Sequence, residues 1–196
     1  MKEGMMLRTI GYLLMAALLM HFGVAGAAQY RQVQANESAV MFGYTQMGVA
    51  MEGKFDRFTA QLAFDPARLD MARASIEIDI ASIDTGVDEA NEEALGKQWF
   101  DTRSHPTASF VSTGMKSLGG NRYEASGKLS IKGRTRDVFV PVTFTEAGAR
   151  GQFDGVLNIK RLDYAIGEGA WSDVGTVADE IQIKFHFVVT AAPNKK

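Results

Sequence analysis

The sequence predicts an all-β protein: one domain of about eight antiparallel strands, arranged as a sandwich or a barrel, with a short helix near residues 87–97 covering one end. Three observations carry this. Apolar and polar residues alternate through most of the chain, turn residues interrupt the alternation at short intervals, and one acidic segment breaks it.

Successive side chains of a strand point to opposite faces, so a period of two marks strands with one apolar face. Val40, Phe42 and Tyr44 share such a face, and so do Phe58, Ala60, Leu62 and Phe64. The series continues with Ile76, Ile78 and Ile80, and then with Tyr123, Ala125, Gly127, Leu129 and Ile131. Val138, Val140, Val142 and Phe144 follow, then Phe153, Gly155, Leu157 and Ile159, and finally Ile181, Ile183, Phe185 and Phe187. One apolar and one polar face per strand suits antiparallel sheets whose outer side meets water. Met47-Gly48, Asp65-Pro66, Gly119-Gly120-Asn121, Lys132-Gly133 and Gly148 to Gly151 supply the turns. Many short strands in series imply a sandwich or a barrel.

Val87 to Trp99 lacks alternation, is acidic and is rich in helix formers. It reads as a short helix with Thr85 or Asp88 as its cap, an acidic first turn that suits the helix dipole, and Gly96 as its stop. Leu95, Trp99 and Phe100 then stand where a helix would lid a barrel. The acidic residues Asp84, Asp88, Glu89, Glu92 and Glu93 read as its solvated face.

Residues 1–27 read as a secretory leader. Lys2 and Arg8 precede an apolar run from Ile10 to Met20, and Ala25-Gly26-Ala27 is a small-residue cleavage site. The expectation is therefore a periplasmic or secreted domain over residues 28–192, with 193–196 a flexible tail. Without the leader's Lys2, Glu3 and Arg8 the net charge is close to −3, which gives no basic surplus for nucleic acid. The chain has no cysteine, so disulfides, thiolate nucleophiles and cysteine metal sites are ruled out. His105 and His186 belong to no metal-ligand spacing, and no nucleophile elbow, phosphate loop or dinucleotide fingerprint occurs.

What remains is large apolar side chains: 12 Phe, 10 Met, 5 Tyr and 2 Trp. An eight-stranded barrel has an interior that side chains fill or that holds one small ligand, and both readings stand at this point. Gly43, Gly53, Gly127 and Gly155 favour the second, because a strand glycine marks a bend, a bulge or the close approach of a ligand.

Several segments resemble the YceI family. They are Gly53 to Thr59, Phe64-Asp65-Pro66, Ala81 to Gly86, Trp99-Phe100-Asp101, Pro106 to Thr113, Gly127 to Val138 and, more weakly, Ile159 to Gly167. The resemblance spans nearly all of the chain beyond the leader. It implies a lipocalin-like antiparallel barrel with a long hydrophobic pocket for an isoprenoid or other long-chain amphiphile. It also implies a possible partner in an inner-membrane b-type cytochrome. Two places depart from the family pattern. Gln46-Met47-Gly48 stands where many relatives have His-x-Gly, and Ala90 to Leu95 stands where many have Arg-Asp-x-His-Leu. Without those basic groups, a neutral head such as a quinone ring or an amide fits better than a pyrophosphate.

The expected function is thus a non-enzymatic binding protein, monomeric or dimeric, whose ligand is a bound polyisoprenoid, quinone or fatty chain. The pocket residues expected from strand phase and the resemblance are Phe42, Tyr44, Met51, Phe55, Phe58, Leu95, Trp99, Phe110, Leu129, Val140, Ile159 and Trp171. Two other readings compete. A lipid-modifying enzyme would draw on Tyr44, Asp163 and Tyr164 as titratable groups in the lumen. An interaction module would have a filled barrel and would use its acidic helix as a docking face.

Overall fold

The computed structural model describes residues 29–191; the leader 1–27 and the tail 193–196 lie outside them. Eleven strand segments form one antiparallel sheet. They are β1 (Tyr30–Val33), β2 (Ala39–Gln46), β3 (Val49–Phe55), β4 (Phe58–Ala63), β5 (Arg73–Asp79), β6 (Ile83–Asp84), β7 (Thr107–Gly119), β8 (Arg122–Ile131), β9 (Arg134–Ala147), β10 (Arg150–Lys160) and β11 (Glu180–Ala191). One helix, α1 (Asp88–Leu95), precedes β7.

The hydrogen-bonded order is β4-β5-β7-β8-β9-β10-β11-β2-β3-β6, with β1 also on β11. Three pairs of segments are halves of bent ribbons, and the bends close the ring. β3 and β4 are separated only by Asp56 and Arg57; β5 and β6 are joined by a 3₁₀ turn over Ile80–Ser82. At that corner the Asp56 amide donates to the Ser82 carbonyl at 3.0 Å, and the Asp79 amide donates to the Arg57 carbonyl at 3.1 Å. β1 and β2 both lie along β11, and Tyr30 of β1 exchanges two backbone hydrogen bonds with Phe64, just past β4, at 2.9 and 3.0 Å. The result is a barrel of eight members: β1/β2, β3/β4, β5/β6, β7, β8, β9, β10 and β11. The ring pairs strand edges everywhere but along part of one seam.

One seam is split. β9 and β10 pair only from Val142–Gly155 to Ala147–Arg150. The pairing stops at Pro141, which has no N–H to give to a ladder. Toward the other end of the two strands, the Arg136 guanidinium donates to the Asp163 carbonyl at 3.1 Å across the gap.

The turns follow the sequence signals. Met47-Gly48 and Lys132-Gly133 each place two successive residues at positive φ (50° and 80°, 46° and 70°), the geometry of a two-residue hairpin whose twist matches the strands. The helix is shorter than Val87 to Trp99. Its N-cap is Val87, not Thr85 or Asp88, and no side chain caps it. Instead the Asn91 carboxamide oxygen accepts from the Thr85 amide (2.8 Å) and hydroxyl (2.7 Å), pinning the chain ahead of the helix. Gly96 does end it. The apolar phases of the strands point inward as their alternation predicts, with Val40, Ile78, Leu129, Ile131, Val140, Val142, Phe153, Ile159 and Phe187 all buried.

Candidate functional site

The two ends of the barrel differ. Around β1 the interior is solid with rings: Tyr30, Phe64, Tyr123, Phe144 and Phe153 are all buried. Phe144 stands 4.7 Å from both Phe64 and Phe153, and 5.0 Å from Tyr30, between ring centroids. The Tyr30 hydroxyl donates to the Glu146 carboxylate at 2.5 Å. Burial, reinforced by that carboxylate, pushes the Tyr30 phenol up to about 12. This end forms a floor.

Above the floor lies a cavity of about 640 Å³, within the roughly 300–1,000 Å³ of small-molecule sites. Ten of the twelve expected residues line it: Phe42, Tyr44, Met51, Phe55, Trp99, Phe110, Leu129, Val140, Ile159 and Trp171. Two do not. Phe58 has the right phase but lies just past the Asp56-Arg57 corner, where its ring packs on Phe187 at 5.8 Å. Leu95 packs against the core from the last position of α1. The helix face on the cavity is Glu89, Ala90, Glu93 and Ala94, so two residues of the supposedly solvated face stand at the rim.

The strand glycines act differently from the expectation. A Cβ on Gly53, Gly127 or Gly155 would collide with the ring of Phe42, Phe110 or Phe185, respectively. These glycines are not bare wall for a ligand. Each seats a phenylalanine ring from the adjacent strand, and all three rings line the cavity. Seated this way, a ring lies along the wall and leaves the centre open. Gly43 has no atom closer than 3.8 Å to its would-be Cβ and seats nothing.

The sequence reading missed several lining residues. Met115 escaped because a bulge between Ser112 and Gly114 shifts the inward parity of β7. Ile83 escaped because the 3₁₀ turn does the same after Ile80. Arg161 was legible: it continues the inward phase of Leu157 and Ile159, and a charge on an apolar phase is a signal in itself.

Arg161 is fully buried and has no carboxylate partner. Its five N–H groups all go to backbone carbonyls. Nε donates to Ala178 (3.1 Å), one terminal nitrogen to Ile166 (2.9 Å) and Gly167 (3.1 Å), and the other to Trp171 (2.8 Å) and Val177 (2.7 Å). Burial lowers its pKa, opposed by Asp179 and Asp173. The guanidinium thus gathers the 165–178 loop around itself, and a Cβ on Gly167 would strike it. It also lies 5.6 Å from the ring centre of Trp99, which in turn stands 5.4 Å from Trp171. The Trp171 indole N–H donates to Glu93 at 2.8 Å, tying this loop to α1. Lys132, in the β8–β9 turn, donates to the carbonyls of Lys97 (2.9 Å) and Ala165 (2.7 Å) and to Glu168 (2.9 Å).

Polar chemistry in the lumen is sparse. Tyr44 lines the cavity, and burial raises its phenol, so it stays protonated at neutral pH. Asp163 and Tyr164 are not with it. They lie at the split seam beside Arg136, with Asp163 paired to Arg136 at 3.3 Å and the Tyr164 ring 5.9 Å from that guanidinium. The three titratable candidates therefore do not converge. Among the described residues, no group of three or more His, Asp or Glu side chains is placed to hold a metal ion.

Residues 32–189 match the model of the YceI-like domain. A UPF0312 protein of Azotobacter vinelandii is 27% identical over 187 residues, covering 91% of this chain and 95% of its own. The crystal structure of Burkholderia cenocepacia BcnA is similar at 46% identity, with a TM-score of 0.79, covering 81% of this chain and all of that one. A polyisoprenoid-binding domain from Saccharophagus degradans shares the fold at 16% identity and a TM-score of 0.63, covering 85% of this chain and 99% of its own.

Proposed function

Because the chain belongs to the YceI family, we propose that it is a binding protein that holds a long apolar ligand inside its barrel. The observation that carries this is the unfilled cavity of about 640 Å³, walled by the inward phases of the strands. Each methylene taken out of water contributes about 0.8 kcal/mol, and association costs about 4–15 kcal/mol. A chain of about ten to twenty carbons crosses that threshold on apolar burial alone, whereas a short one does not. The ligand class is therefore isoprenoid, quinone-like or fatty, in keeping with the polyisoprenoid-binding domain that shares the fold.

The observations support binding over the two competing readings. An interaction module with a filled barrel is at odds with the open lumen. Of the three titratable groups a lipid-modifying enzyme would draw on, Tyr44 lines the cavity while Asp163 and Tyr164 lie at the split seam. The leader-like residues 1–27 support a periplasmic or secreted place of action, which cell fractionation with N-terminal sequencing near Ala28 tests.

Native mass spectrometry of gently purified protein, with mass analysis of the organic extract, tests the binding role. A co-purifying lipid at near one per chain is the expected result. A clean unliganded mass, an empty extract and no uptake of added long-chain lipid would sink the proposal.

A further inference from the structure

Among the described residues, one buried side-chain nitrogen or oxygen has no hydrogen-bond partner, and it is the indole Nε1 of Trp99. Trp99 is also a lining residue of the cavity; its Nε1 is itself closed off from water-sized atoms there, so a ligand oxygen reaches it only with a small shift of the ring or its neighbours. Leaving a buried N–H unpaired is costly, and native structures do so rarely. The groups around it offer no remedy. Arg161, below the ring, is a donor and has spent every N–H on carbonyls. Trp171, beside it, carries a donor already given to Glu93.

We infer that Trp99 Nε1 is the head-group anchor of the site, donating to a neutral carbonyl-type oxygen on the ligand. This rests on the binding role proposed above and specifies the ligand's chemistry. Neutrality follows from the charges nearby. The one cation against the ring is fully engaged, Glu89 and Glu93 line the same cavity, and the other lining cation, Arg73, sits opposite Ala63 beside the floor, so at the Trp99 end a carboxylate or phosphate would meet repulsion with no neighbouring cation to offset it. An indole N–H, by contrast, recognises a single acceptor and asks for no charge. A ligand with no acceptor would leave the N–H as it is now.

The test uses the whole mature chain and three probes: diphenylhexatriene, a hydrocarbon dye that reports an apolar lumen, and 2-heptadecanone and heptadecane as competitors. The ketone is expected to displace the dye about fivefold more tightly than the alkane, the ratio a net hydrogen bond of about 1 kcal/mol supports. In Trp99→Phe, which keeps a ring and removes the N–H, the ketone-to-alkane ratio, measured within that variant whatever its own affinity for the dye, is expected to fall to about one. Equal affinities in the native chain, or a preference that survives Trp99→Phe, would overturn the anchor and leave the apolar site standing. Failure of the dye to bind at all would overturn the binding role itself. A second measurement needs no substitution at Trp99. The chain has two tryptophans, so its indole N–H signals in an NMR spectrum are assignable with a Trp171→Phe control. The ketone should move the Trp99 signal downfield and heptadecane should not; a Trp99 signal unmoved by bound ketone would also overturn the anchor.

Discussion

The ring of Phe110 lies over Gly127, where a Cβ on the glycine would meet both that ring and, at 2.7 Å, the carbonyl oxygen of Val111. The phenylalanine therefore depends on the glycine for its place on the wall. Gly127→Ala should force the ring toward the lumen. Alanine gains about 0.5–1 kcal/mol over glycine in a strand, but overpacking costs about 1–3 kcal/mol, so the net effect is destabilising. The urea midpoint should fall and uptake of a lipophilic dye should drop with it. An unchanged midpoint with full uptake would show that the ring finds another seat.

Phase can be tested by charge. Phe110 faces the cavity, whereas Lys184 faces outward and pairs with Glu52 at 2.5 Å. Phe110→Asp should abolish ligand retention and Lys184→Asp should leave it intact, with circular dichroism confirming the fold of both. Equal retention by the two variants would contradict the assigned inward face.

That inward face was legible because period two survives wherever a strand runs straight. It failed only where the backbone breaks step. The bulge near Ser112 hid Met115, and the 3₁₀ turn after Asp79 hid Ile83. Phe58 was misplaced for a related reason, since alternation gives a side and not a height, and this residue sits at the corner. On α1 the search for a large apolar side chain led to Leu95, while the wall is made of Ala90, Ala94 and two glutamates. Tyr30 was missed because β1 has only four residues and no alternation to read.

Arg161 offers a test of how the rim is held. Lysine keeps the charge but has three donors where the guanidinium has five, so at least two buried carbonyls lose their partner. Each costs about 1–3 kcal/mol, and Arg161→Lys should destabilise the protein by at least about 2 kcal/mol. Amide hydrogen exchange should quicken across 165–178 before it does in the floor. Unchanged exchange in that loop would deny Arg161 its gathering role.

Alkaline pH should act through the floor. A phenol held near 12 by burial and by Glu146 favours its neutral form in the fold. Its contribution is complete below pH 10 and is lost as the pH rises toward 12, by an amount on the order of 2 kcal/mol. Tyr30→Phe removes this titration and costs about 0.5–1.5 kcal/mol at neutral pH for the lost hydrogen bond. Denaturant midpoints measured from pH 9 to 12 should decline less steeply in the variant. Parallel declines would assign the alkaline loss to other groups, such as Tyr44 and Tyr164, whose phenols burial also raises.

Pro141 sets one further property of the wall. Past it, β9 and β10 have no ladder, and the gap is spanned by the Arg136 side chain reaching Asp163 in the turn after β10; such a contact gives way more readily than paired backbone. Opening of the cylinder is therefore expected along this line, beside the tryptophan-lined rim, before it is expected at the floor.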